Sequence, residues 1–306
     1  MKEYQVNYVE LSTGEKIAYR KAGDHGRTIL LIHGNMSSSV HFLGLIEKLE
    51  KDFVVYALDL VGFGDSSYNR RIDSLEDFSK DVTAFIRHFD LRDIIIIGWS
   101  MGGGVALETS VDNQDRISQI LLLSSVGVKG LKIYKNELTS FGMFNVVRMA
   151  KREDVEEDIV QTKQYNIAIK NKDREYFRLL WDAIFINNRM SEEEYDMLID
   201  ASMKQRNIAD AIYSLANFNM TTVSNGVSEG SGRIYQLRRK ITYIHGDLDT
   251  VVPILDAKNS VKIIGERAEY LVFHGCGHSI MVDDLERLYS TIIDKIVPLD
   301  RLKVEG

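Results

Sequence analysis

The chain has a single cysteine, Cys276, so no intrachain disulfide can form. That is the thiol usage of a reducing compartment. No apolar run approaches the roughly 20 residues that cross a bilayer. The opening stretch Met1-Lys2-Glu3-Tyr4-Gln5 carries no apolar signal core, so a cytoplasmic protein is expected. Positive charge is in deficit: 38 Lys and Arg stand against 45 Asp and Glu, a net charge of -7. This argues against a nucleic-acid surface. The basic run Arg238-Arg239-Lys240 reads as a solvated loop. A phosphate loop of the G-x-x-x-x-G-K-[ST] type is missing, and Gly62-Phe63-Gly64 lacks the third glycine of a dinucleotide loop. No cofactor or metal is expected.

What remains is an ordinary globular composition, 44% hydrophobic and 27% charged over 306 residues. That length suffices for a large core in one domain or two. Residues 6–11 and 17–22 flank Thr13-Gly14 and predict an antiparallel hairpin at a sheet edge. Residues 28–32, 53–58, 94–97 and 120–123 read as buried strands, and residues 40–49 have helical spacing. Ser74 with Asp77 predicts a helix start, and Leu75, Phe78, Val82, Phe85, Ile86 and Phe89 keep its period. Strands alternating with helices imply a parallel sheet.

The pattern changes after Gly127. From about Tyr134 to Met220 only helix-like segments are expected. Tyr176, Leu179, Leu180, Ala183 and Ile184 are spaced as one helical face, and Ser191 with Glu194 marks a capping box. Residues 221–232 read as loop. Strands resume at 241–244 and 269–273, and Leu285, Leu288, Ile292, Ile293 and Ile296 mark a closing helix. The expected division is an α/β core, residues 1–127 and 234–306, interrupted by a helical cap insertion at 128–233.

Four isoleucines, Ile94 to Ile97, run into Gly98-Trp99-Ser100-Met101-Gly102-Gly103-Gly104. This is G-x-S-x-G between a strand and a helix, a turn that lifts a serine off the sheet. The bland alternative is a Gly-rich turn with an incidental serine. A hydroxyl needs a base, and histidine is the base suited to neutral pH. Of the seven histidines, His278 lies just past the last strand, on a loop softened by Gly275 and Gly277. His25 and His88 read as solvated, and His41 and His245 as structural. His274 and His278 as a metal pair lack further ligands at suitable spacing. The base in turn needs a carboxylate, supplied by Asp249 after the strand at 241–244, with Asp247 as the second choice. The order Ser100, Asp249, His278 is that of a Ser–acid–His triad. Two backbone N–H donors should face the developing oxyanion: Met101, and Asn35 in the His33-Gly34-Asn35 loop.

Taken together, His33-Gly34, Asp59-x-x-Gly62-x-Gly64-x-Ser66, Gly98-x-Ser100-x-Gly102, Asp249-x-x-x-Pro253 and Gly277-His278 resemble the α/β-hydrolase superfamily. The resemblance covers roughly residues 15–127 and 234–296. It implies an α/β fold with a mostly parallel eight-stranded sheet flanked by helices, and a helical cap over the site. Its catalytic roles fall on Ser100, Asp249 and His278, and its oxyanion amides on Asn35 and Met101. Epoxide hydrolases and haloalkane dehalogenases of this fold use an aspartate nucleophile, which Ser100 argues against. The elbow also resembles that of some bacterial intracellular polyhydroxybutyrate depolymerases. The expectation is a serine hydrolase of carboxylic esters, taking a small acyl substrate with an apolar acyl part. Phe141, Met143, Phe144, Tyr176, Phe177, Leu180, Trp181 and Phe185 could line the acyl pocket, or simply pack the cap onto the core. Alternatives are lactone, amide, C–C bond, peracid or polyhydroxybutyrate chemistry on the same triad, or a ligand-binding sensor on this scaffold. Oligomeric state is not readable from the sequence.

Overall fold

In a computed structural model, which describes residues 2–138 and 144–296, the apolar runs assemble into one eight-stranded sheet. The strands are β1 (Val6–Glu10), β2 (Lys16–Ala22), β3 (Thr28–Ile32), β4 (Val54–Leu58), β5 (Ile94–Trp99), β6 (Ile117–Leu123), β7 (Tyr134–Leu138), β8 (Phe144–Arg148), β9 (Ile241–Gly246) and β10 (Ala268–Phe273). The large sheet has the order β1-β2-β4-β3-β5-β6-β9-β10. Only β2 runs against its neighbours; β4, β3, β5, β6, β9 and β10 pair in parallel. The hairpin expected at the edge is β1 with β2.

The helices are α1 (Leu43–Leu49), α2 (Leu75–His88), α3 (Met101–Asp112), α4 (Arg152–Glu156), α5 (Gln164–Asn171), α6 (Arg174–Asp182), α7 (Glu192–Ser202), α8 (Ile208–Asn217), α9 (Ile254–Ile264), α10 (Ile280–Asp283) and α11 (Leu285–Ile296). Ser74 caps α2 by accepting from the Asp77 N–H at 3.1 Å, and Ser191 with Glu194 forms the capping box of α7. Strand β5 sits inside the sheet between β3 and β6, and Ile94 to Ile97 are fully buried. Helices cover both faces of such a sheet, which is why its central strand is apolar without alternation.

Register aligns the strand ends. Ile32 pairs with Gly98, Leu123 with Ile244, and Phe273 with Gly246. The loops after β3, β5, β9 and β10 therefore leave one edge of the sheet together, the place where open α/β sheets gather their sites.

Between β6 and β9 the structure departs from the expected run of helices. Strands β7 and β8 pair antiparallel as a separate two-stranded sheet. They escape a search for buried strands because this ribbon is partly open to solvent: Tyr134 is 47% and Val146 70% exposed. The expected face of α6 is also rotated. Phe177 and Trp181 are its buried residues, one turn apart, whereas Leu179 is 69% exposed. Phe141 and Met143 lie outside the described residues.

Candidate active site

Ser100 is the hinge between β5 and α3, with φ at 56°. A non-glycine residue there costs about 1–3 kcal/mol and persists only where its surroundings fix it. Three backbone bonds do so: Ser100 N–H donates to Leu123 O at 3.0 Å, and Ser100 O accepts from Gly103 at 3.1 Å and Val126 at 3.2 Å. Two flanking glycines let strand and helix close up. A Cβ on Gly98 would stand 2.4 Å from Gly102 O, and one on Gly102 would stand 2.2 Å from Ile32 O.

The Ser100 hydroxyl oxygen lies 2.9 Å from His278 Nε2, and His278 Nδ1 lies 2.8 Å from Asp249 Oδ2. Three side chains distant in sequence thus form one continuous line. His278 is 4% exposed and Asp249 is fully buried at the side chain. The other Asp249 oxygen accepts from the Val251 and Val252 amides at 2.8 and 2.9 Å. Burial alone would raise the Asp249 pKa. Bonds from His245 and His278 outweigh it and hold the carboxyl well below the usual range.

Asp247, the second choice for the acid, is turned elsewhere. It accepts from Gly275 N at 2.7 Å and pairs with the largely exposed His274 at 2.8 Å, pinning the loop that carries His278. His274 and His278 are thus turned to different carboxylates, Asp247 and Asp249. Among the described residues no group of three His, Cys, Asp or Glu is placed to hold a metal ion.

Asn35 and Met101 both line the cavity beside Ser100. Met101 opens α3, so its N–H has no acceptor within the helix and lies at the positive end of the helix dipole. The loop at 35–36 is held by Gln205, which donates to Asn35 Oδ1 at 2.9 Å and accepts from Met36 N–H at 3.1 Å. His33 works on the backbone. Its Nδ1 donates to Gly34 O at 2.7 Å and its Nε2 accepts from Leu60 N–H at 3.0 Å.

Sequence reasoning missed several supporting groups. Trp99 Nε1 donates to the His278 carbonyl at 2.9 Å, and its ring packs 5.2 Å from the imidazole. His41 sits against Trp99 and Trp181 with ring centroids 4.4 and 4.9 Å away, and its Nε2 is 2.9 Å from Ser279 Oγ. Burial pushes the His41 imidazole down to about 3, so it stays neutral. Gln205 and His41 carry no motif and become visible only through contacts from remote segments.

Above Ser100 lies a cavity of about 840 Å³. Its walls include Trp99, Val126, Leu131, Ile133, Phe177, Leu180, Trp181, Ile184, Ile212 and Leu215, with Lys132, Tyr134, Gln161, Ser202 and Asp256 among its polar groups. Of the aromatic and apolar residues expected to line it, Phe177, Leu180 and Trp181 do. Phe185 is buried behind them, 5.9 Å from Trp181. Such a chamber suits an apolar molecule of drug-like size. Chemically, the line from carboxylate to imidazole to hydroxyl can take a proton from the serine as its oxygen attacks an electrophile.

Comparison with known proteins assigns the class. The family model described as the alpha/beta hydrolase fold matches residues 27–285. The chain belongs to the α/β-hydrolase family. An uncharacterized protein of Mycobacterium tuberculosis is 34% identical over 115 residues, 38% of this chain but only 33% of that protein's length. The 2-hydroxy-6-oxo-6-(2'-aminophenyl)hexa-2,4-dienoic acid hydrolase of Metapseudomonas resinovorans is 25% identical over 289 residues, 89% of this chain and 84% of its own. The solved esterase of Exiguobacterium antarcticum shares the fold at a TM-score of 0.72 and 17% identity, covering 95% of this chain and 99% of that one. Among the described residues no helix is long and apolar enough to cross a membrane.

Proposed function

We propose that the chain is a serine esterase that cleaves carboxylic esters through an acyl-enzyme. The observation that carries this reading is the unbroken pair of contacts, 2.9 Å from Ser100 to His278 and 2.8 Å from His278 to Asp249. Ser100 Oγ attacks the ester carbonyl while His278 Nε2 takes its proton. Asp249 accepts the Nδ1–H and stabilises the imidazolium. The oxyanion forms toward the Asn35 and Met101 amides. His278 returns the proton to the departing alcohol, then activates water to release the acid. Residues 128–233 act as a cap whose Phe177, Leu180 and Trp181 receive the apolar acyl part. The lone thiol, Cys276, suits a cytoplasmic setting.

Hydrolysis of short and medium p-nitrophenyl esters tests the reading. Ser100→Ala should lower kcat by about 10⁴–10⁶-fold. Equal rates in both proteins would end it. A second reading, hydrolysis of a C–C bond, is favoured by alignment with the Metapseudomonas enzyme along 89% of this chain. It uses the same Ser100 and differs in product, which mass spectrometry of a substrate panel separates.

A further inference from the structure

His245, the second-to-last residue of β9, lies beside Asp249, four residues before it. Its Nε2 lies 2.9 Å from Val252 O and 3.1 Å from Asp249 Oδ2, the same oxygen that meets His278 Nδ1. Both neighbours of that nitrogen are acceptors, so Nε2 carries the proton. Its Nδ1 is buried with no partner among the described residues, which a bare lone pair tolerates better than an N–H would. Asp249 therefore accepts the Val251 and Val252 amides on one oxygen and His278 on the other, with His245 Nε2 3.1 Å from that second oxygen.

We propose that His245 is a positioning residue: its Nε2–H shares the Asp249 oxygen with His278 and so sets how strongly that carboxylate draws on the base. The proposal rests on the esterase reading. A donor on Oδ2 both fixes the carboxylate plane and withdraws negative charge from the side facing His278. Without it the carboxylate favours the imidazolium more, and the base becomes harder to deprotonate.

Other ionisable groups surround the pair without replacing the donor. Asp247 is engaged by His274, and Asp256 faces Lys132. The Tyr270 phenol, raised by burial and by Asp247 and Asp249, reaches about 12. His41 beside His278 stays neutral. Among the described residues none of these donates to Asp249.

The test is the pH profile of kcat/KM on a p-nitrophenyl ester, with fluorophosphonate labelling of Ser100 in parallel. His245→Leu should lower kcat about 10- to 100-fold with KM little changed. Its acid limb should move up by about half a pH unit or more. His245→Gln, which keeps an N–H donor, should restore most of both. An unmoved limb, or no recovery with glutamine, overturns the proposal while leaving the esterase intact. Should the leucine variant not fold, nitrogen NMR of the wild type decides. An Nε2–H with bare Nδ1 at residue 245 at pH 7 is required, and a protonated Nδ1 overturns it. A wild type that neither turns over nor labels fails the esterase reading itself, which the NMR result does not touch.

Discussion

At the scale of single residues, the geometry at Ser100 depends on atoms that are missing from its neighbours. Gly102 passes so close to β3 that an added Cβ would meet Ile32 O at 2.2 Å and His33 O at 2.4 Å, both backbone atoms that cannot swing aside. Gly102→Ala should therefore cost about 3 kcal/mol of stability, at the upper end of overpacking penalties, and reduce activity as the elbow shifts. Urea unfolding followed by circular dichroism checks the first, and ester hydrolysis the second. The positions of Ser100, Asp249 and His278 could be read from the sequence because strand-end motifs announce them. The donors behind them could not. His245 looked structural because a histidine at a strand end carries no sign of which loop will fold back over it.

At the scale of elements, α3 carries a carboxyl where solvent is nearly absent. Glu108 is 4% exposed and accepts from Arg233 Nε at 2.5 Å, while Arg233 also pairs with Asp112 at 2.9 Å. Burial pushes the Glu108 carboxyl up to about 7, despite the opposing guanidinium. A pKa raised on folding favours the folded state at pH values below the unfolded value, and that advantage is lost as pH rises through about 7. The difference in melting temperature between the wild type and Glu108→Gln should thus shrink, or turn against the wild type, between pH 5 and pH 8. A flat difference would show that Arg233 already neutralises the site. Helix α6 and the β7–β8 ribbon show what the pattern concealed. The helical period of α6 was legible, but its phase was not, because apolar residues occupy more than one face and packing chose Phe177 and Trp181. The ribbon was hidden because it pairs only with itself.

At the scale of the whole molecule, a buried cluster around Arg152 helps fasten the segment between β6 and β9 to the sheet region. Arg152 of α4 reaches Asp210 of α8 at 2.6 Å and the Ile72 carbonyl and Asp73 at 2.6 Å each. Asp210 also accepts from Tyr68 Oη at 2.7 Å and the Ile72 amide at 2.8 Å. Arg152→Met leaves that carboxylate buried without its cation, a change that costs about 3–5 kcal/mol in comparable sites. The expected result is a lower melting temperature with faster proteolysis within residues 144–233. Unchanged cleavage would mean that the segment is held by its other contacts, Gln205 on the 35–36 loop among them. The architecture of the sheet was legible because buried strands and capped helices are local patterns. This fastening was not, since it joins side chains from three separate stretches.

The chain contains two tryptophans, and both stand in the cavity wall with their rings 6.4 Å apart. All of its indole emission therefore originates at one chamber. Whatever enters there alters the surroundings of every such chromophore at once, so occupancy becomes an optical signal that needs no attached dye.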